Sequence, residues 1–149
     1  EQVARHRFLS PEDALTLSKD EVVSVRVQVA EHCFTLSILG DLSRDPDEYV
    51  RSAVARNKHC SLPLLEWLAA DRNAEVRVSV GYSPVLANDW PQDSHQRDTW
   101  GDIMKTLMED EEPRVRASVA SNREVCEDML TVLMHDPDVR VRRAILDRH

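Results

Sequence analysis

The phrase Asp-x4-Val-Arg occurs five times in this chain, at Asp20, Asp45, Asp71, Asp110 and Asp136. A phrase that recurs at a regular period restricts the fold to units built alike and placed against one another. The pairs that follow each Asp are Val25-Arg26, Val50-Arg51, Val76-Arg77, Val115-Arg116 and Val141-Arg142. Four positions beyond each Val stands a second branched residue, namely Val29, Val54, Val80, Val119 and Ile145. A spacing of four places both side chains on one face of a helix, so each phrase reads as a short helix with an apolar seam. The Asp-to-Asp steps are 25, 26, 39 and 26 residues, so one unit carries an insertion.

Between phrases the chain breaks and continues in a Leu-rich segment, such as SLPLLEWLAAD or EVCEDMLTVLMHD. In the first such segment Ser10 precedes Pro11, Glu12 and Asp13, which suits a helix start: a hydroxyl caps, Pro tolerates the first turn and acidic side chains oppose the dipole. Each unit is therefore expected to be a helix pair, and a pair this small buries its apolar face only by stacking on neighbours. Val3-Ala4 stands 17 residues before Asp20, as Val54-Ala55 does before Asp71, so the first unit opens in mid-repeat, as expected of a segment of a longer chain.

Composition agrees with a helical reading. Only three residues of 149 are Gly, 42% are hydrophobic and 31% charged, and the Ala, Leu, Glu and Arg that fill the units lose little freedom in a helix. The expectation is one all-α domain over residues 1–149, with an insertion at about 82–97. No apolar run approaches the ~20 residues of a membrane span, and no signal peptide is evident. Cys33, Cys60 and Cys126 are odd in number and lack a disulfide-framework spacing, which fits free thiols and a cytoplasmic location. The formal charge of −8 disfavours nucleic acid, whose affinity comes from Lys and Arg displacing counterions, and suits a basic protein partner.

The repeated Asp and Arg have a structural use first. Each Asp is placed to cap the helix it precedes, and each Arg to reach carboxylates or carbonyls of an adjacent unit. The expected ladder comprises Asp20, Arg26, Asp45, Arg51, Asp71, Arg77, Asp110, Arg116, Asp136 and Arg142.

The fuller pattern Asp-x4-Val-Arg-x2-Val-Ala-x-Asn, followed by a Pro- or Ser-led Leu-Leu-x2-Leu-Ala segment, resembles the leucine-rich repeat variant family, akin to HEAT and armadillo repeats. The copy DPDEYVRSAVARNKHCSLPLLEWLAAD matches it at Asp45, Val50, Arg51, Val54, Ala55, Asn57, Leu64, Leu65 and Leu68. Departures are Glu31-His32 in the Asp20 unit and GYSP in the Asp71 unit. The resemblance implies a right-handed α-solenoid of about five to six repeats of ~26 residues. Such scaffolds mostly bind other molecules.

The stretch GYSPVLANDWPQDSHQRDTWGD, Gly81 to Asp102, is the part the repeat leaves unexplained, and it holds two of the three Trp. Loops on rigid scaffolds carry function, and Trp and Tyr anchor interfaces. Tyr82, Trp90, Asp93, His95, Arg97 and Trp100 are therefore the candidate binding patch, against the alternative that Trp90 and Trp100 fold the loop onto the scaffold. No nucleophile with a base, phosphate loop or paired-His motif stands out, and no cofactor or metal set is indicated. The expectation is a non-enzymatic protein-binding scaffold, of which an inhibitor or immunity-type protein is one form. The alternative is a resemblance to HEAT-like alkylpurine DNA glycosylases, in which Trp90, Asp93 and Trp100 would act.

Overall fold

A computed structural model describes residues 10–87, 94–123 and 125–148. The described residues are all-helical, without a strand. Each Asp phrase leads into a helix: α2 (Val23–His32), α4 (Glu48–Arg56), α6 (Ala74–Gly81), α9 (Pro113–Ser121) and α11 (Val139–Leu146). The Leu-rich segments form α1 (Pro11–Leu17), α3 (Leu36–Leu42), α5 (Leu62–Ala69), α8 (Ser94–Met108) and α10 (Glu127–Leu133), and α7 (Pro84–Ala87) is a single turn.

None of these helices would be secure alone, because at seven to ten residues most are shorter than an isolated helix needs. Tertiary packing stabilises them. Helix α2 packs on α4, α4 on α6, α6 on α9 and α9 on α11, each on the next in chain order. The two branched residues per phrase line these contacts: Val50, Val54, Val76, Val80, Val115 and Val119 are fully buried. Val25 and Ile145, in the first and last copies, are half-buried, whereas Val29 and Val141 of the same helices are buried. The second helices add Leu39, Leu65, Leu68, Leu107 and Leu133 to the same core. Burying one such side chain contributes roughly 1.5–3 kcal/mol relative to exposure.

The Asp of each phrase does not cap the helix as the sequence suggested. It stands two residues earlier, and its Oδ1 accepts the amide of the residue two places on: Val22, Asp47, Asn73, Glu112 or Asp138. Those residues are the caps, and Asp47, Asn73, Glu112 and Asp138 accept the next free amide in turn. Two consecutive carboxylate or amide side chains thus satisfy successive donors at the helix entry.

The insertion lengthens an element as well as a connection. Helix α8 has 15 residues where the other second helices have seven or eight. Trp100, Ile103, Met104 and Leu107 recur at helical spacing on its buried face.

Candidate functional site

The arginines form a regular ladder between neighbours. Arg26 Nε and Nη2 donate to the two carboxylate oxygens of Asp45 at 2.8 and 3.0 Å, and Arg51 does the same to Asp71 at 2.7 and 3.1 Å. Arg77 meets Asp110 at 2.6 and 3.0 Å, and Arg116 meets Asp136 at 2.7 and 3.0 Å. The third guanidinium nitrogen, Nη1, turns back to the main-chain oxygen of its own unit's Asp, at 2.7–2.8 Å in all four. Every rung is therefore bidentate outward and tied inward, a geometry that a flexible ammonium cannot supply. Arg77 and Asp110 lie 33 residues apart, whereas Arg51 and Asp71 lie 20 apart. The insertion is accommodated without disturbing the rung it spans.

The ladder ends openly among the described residues. The Asp20 carboxylate accepts only the Val22 amide, and Arg142 donates Nη1 to the carbonyls of Asp136 and Pro137 with no carboxylate on its fork. The four closed rungs are largely removed from solvent, with the Arg51 and Asp71 side chains 7% and 8% exposed. Burial alone would push the Asp71 and Asp110 carboxyls up. The guanidinium bonds from Arg51 and Arg77, with the amides of Asn73 and Glu112, outweigh it and hold both below the usual carboxylate range. Asp136 is held low chiefly by Arg116.

A second set of links runs the other way. Twelve residues after the phrase Asp stands Asn57 in one unit and Asn122 in another. Asn57 Nδ2 donates to the Ala30 and Cys33 carbonyls at 2.7 Å each, and Asn122 Nδ2 to the Gly81 carbonyl at 3.4 Å. These oxygens lie at the ends of α2 and α6, where a helix runs out of its own donors. Ser83 occupies the same place in the Asp71 unit. Its backbone repeats the pattern, donating to the Val80 carbonyl as Asn57 and Asn122 do to Val54 and Val119, but its buried Oγ has no partner. The GYSP departure thus costs a side-chain link and leaves the helix end in place.

Of the six residues of the patch expected from the insertion, Tyr82, His95, Arg97 and Trp100 are among the described residues. Trp100 is 4% exposed, packs in the core, and its Nε1 donates to the Leu86 carbonyl at 3.5 Å. Burial removes it from any surface patch: in α8 it serves the apolar face. Trp90 and Asp93 lie outside the described residues. His95 and Arg97 are exposed in the first turn of α8, and Tyr82 is 55% exposed at the end of α6. Among the described residues, no side-chain hydrogen bond or ion pair joins these three.

The cysteines are free, Cys33 and Cys60 buried and Cys126 exposed. Burial pushes the Cys60 thiol up to about 12, which keeps it protonated near neutral pH. No group of three His, Cys, Asp or Glu suited to a metal ion occurs among the described residues, and no described helix is long and apolar enough to cross a membrane.

A side chain that the repeat pattern passes over stands out on the surface. Trp67, on α5, is 57% exposed and lines an open groove of about 540 Å³ with Ser43, Arg44, Pro46, Ala70 and Arg72. The signal was present in the sequence: four residues before successive phrase Asp residues stand Thr16, Asp41, Trp67, Thr106 and Val132, so one large aromatic interrupts a mostly polar row.

No protein-family profile and no curated protein matches this chain. The resemblance to the leucine-rich repeat variant family therefore rests on the repeat residues themselves.

Proposed function

We propose that the chain is a non-enzymatic, protein-binding scaffold, a segment of α-solenoid in which each helix pair stacks on the next. The packing of α2, α4, α6, α9 and α11 in chain order supports the stacking, as does the reuse of one Arg–Asp geometry at four junctions.

The observation that carries the binding reading is where the polar chemistry goes. The ladder arginines and aspartates are spent on neighbouring units, while the large aromatics Tyr49, Trp67 and Tyr82 are left exposed on short, mutually braced helices. Rigid supports carrying exposed Trp and Tyr suit recognition of another protein.

The test is affinity capture from the source cell's lysate with wild type, Trp67→Ala and Tyr82→Ala, each checked for helix content. A protein retained by wild type and lost by a folded variant is the expected result. Capture of no protein, or equal capture by both variants, would contradict binding through these aromatics.

A further inference from the structure

The groove around Trp67 has a charge unlike that of the chain as a whole. Two carboxylates line it, Asp45 and Asp71. Both are engaged by bidentate guanidinium groups, from Arg26 and Arg51, and so present little free negative charge. Arg44 and Arg72 also line it and are exposed. Among the described residues no carboxylate pairs with either: Arg44 donates Nη1 to the Gly40 carbonyl at 2.8 Å and lies over the Trp67 ring at 5.4 Å. The immediate surroundings of an exposed tryptophan thus carry two guanidinium groups outside any ion pair among the described residues, on a chain of formal charge −8.

These positions are not ordinary repeat positions. The residue just before the phrase Asp is Lys19, Arg44, Ala70, Glu109 or His135, and the one just after is Glu21, Pro46, Arg72, Glu111 or Pro137. The two Asp residues that flank Trp67 in sequence bring Arg44 and Arg72 to the same groove, and Ala70 leaves room between them. Aromatic, arginine pair and small residue coincide only here, between the Asp45 and Asp71 phrases.

We propose that this groove takes an acidic peptide segment of a partner protein, with carboxylates meeting Arg44 and Arg72 and an apolar side chain laid against Trp67, Pro46 and Ala70. It rests on the protein-binding reading above and adds the chemistry of the contact. A phosphate backbone fits less well, since its affinity accumulates over many cationic contacts, and here there are two on an acidic chain. The net charge attracts basic surfaces at range, but beyond ~8 Å it is screened at physiological salt, and at contact the groove's own charges decide.

The test follows the indole N–H resonances of the protein by two-dimensional NMR, with Trp67→Phe identifying the Trp67 signal. The probe is the peptide acetyl-Glu-Glu-Leu-Glu-Glu-amide, with its lysine counterpart and a short oligothymidylate as comparisons. The acidic peptide is expected to shift the Trp67 signal saturably, more weakly as salt rises, and about tenfold more weakly in Arg44→Glu/Arg72→Glu. Both arginines are exposed, so the variant is expected to keep its helix signal. If that signal falls, Arg44→Gln/Arg72→Gln replaces it, with a smaller loss of binding expected. No saturable shift with the acidic peptide, an equal shift with the lysine peptide, or a response to the oligothymidylate alone would overturn the assignment. Should a partner be captured by wild type and lost by Trp67→Ala while the acidic peptide fails, the binding reading stands and the acidic assignment falls.

Discussion

At the scale of residues, the same side chain has different weight according to whether a neighbour faces it. Arg51 is enclosed between its own unit's carbonyl and Asp71, so Arg51→Ala leaves a buried carboxylate without its partner. Removing one member of a buried pair costs about 3–5 kcal/mol, and chemical denaturation should show a loss in that range. Arg142 holds the equivalent position with no carboxylate on its fork among the described residues, and Arg142→Ala should fall within ~0.5 kcal/mol of wild type. Ser83 offers the reverse case. Its buried Oγ lacks a partner where Asn57 and Asn122 bridge to the preceding unit, so Ser83→Asn is expected to raise stability by about 0.5–1.5 kcal/mol. A lower denaturation midpoint would show that the Asp71 unit has no carbonyl in reach. The ladder residues were legible in the sequence because five units share them. The direction of pairing, from each Arg to the following unit's Asp, was not, since spacing fixes which residues recur and leaves open which copy they meet. Asn57 was visible as a pattern match without a role, because its acceptors lie 24 and 27 residues away.

Elements in this chain are set by how closely they pack. Most phrase helices end in Ala at the position occupied by Gly81, as at Ala30, Ala55 and Ala120. A Cβ on Gly81 would lie 1.8 Å from Ser118 Oγ and 2.7 Å from Ser118 Cβ, so α6 and α9 approach too closely for it. Gly81→Ala should therefore destabilise by about 1–3 kcal/mol, and Ser118→Gly in the same chain should recover much of the loss. Recovery would be read from thermal melts of the single and double variants. The phrase helices themselves were legible from apolar spacing. Helix α8 was not, because a Trp in an insertion fits a surface patch and packing onto the scaffold equally well, and Trp100 takes the second course. Trp100, Ile103, Met104 and Leu107 already carried the three-and-four spacing that marks a buried helical face. Trp67 was overlooked for the opposite reason: it sits inside a well-matched repeat, and only alignment of the units exposes it as an exception.

For the whole molecule, stability and acidity are linked through the rungs. Asp71, Asp110 and Asp136 have carboxyls held below their ordinary value. A carboxylate depressed by folding contributes stability that is fully present above the unfolded value of about 3.9 and is lost as pH falls through the folded value. Melting temperature should hold from neutral pH down to about pH 5 and fall below about pH 4. A chain equally stable at about pH 2.5 and pH 7 would show that the rungs contribute little net free energy.

The central claim is that each unit is locked to the next by its arginine, and a double-mutant cycle tests it most directly. Arg51→Ala, Asp71→Ala and the double variant form one cycle. Arg51→Ala with Asp110→Ala, whose carboxylate belongs to Arg77, forms the second. Stacking in chain order predicts a coupling of about 1.5 kcal/mol or more in the first cycle and additivity within ~0.5 kcal/mol in the second. Additivity between Arg51 and Asp71, or strong coupling between Arg51 and Asp110, would contradict it.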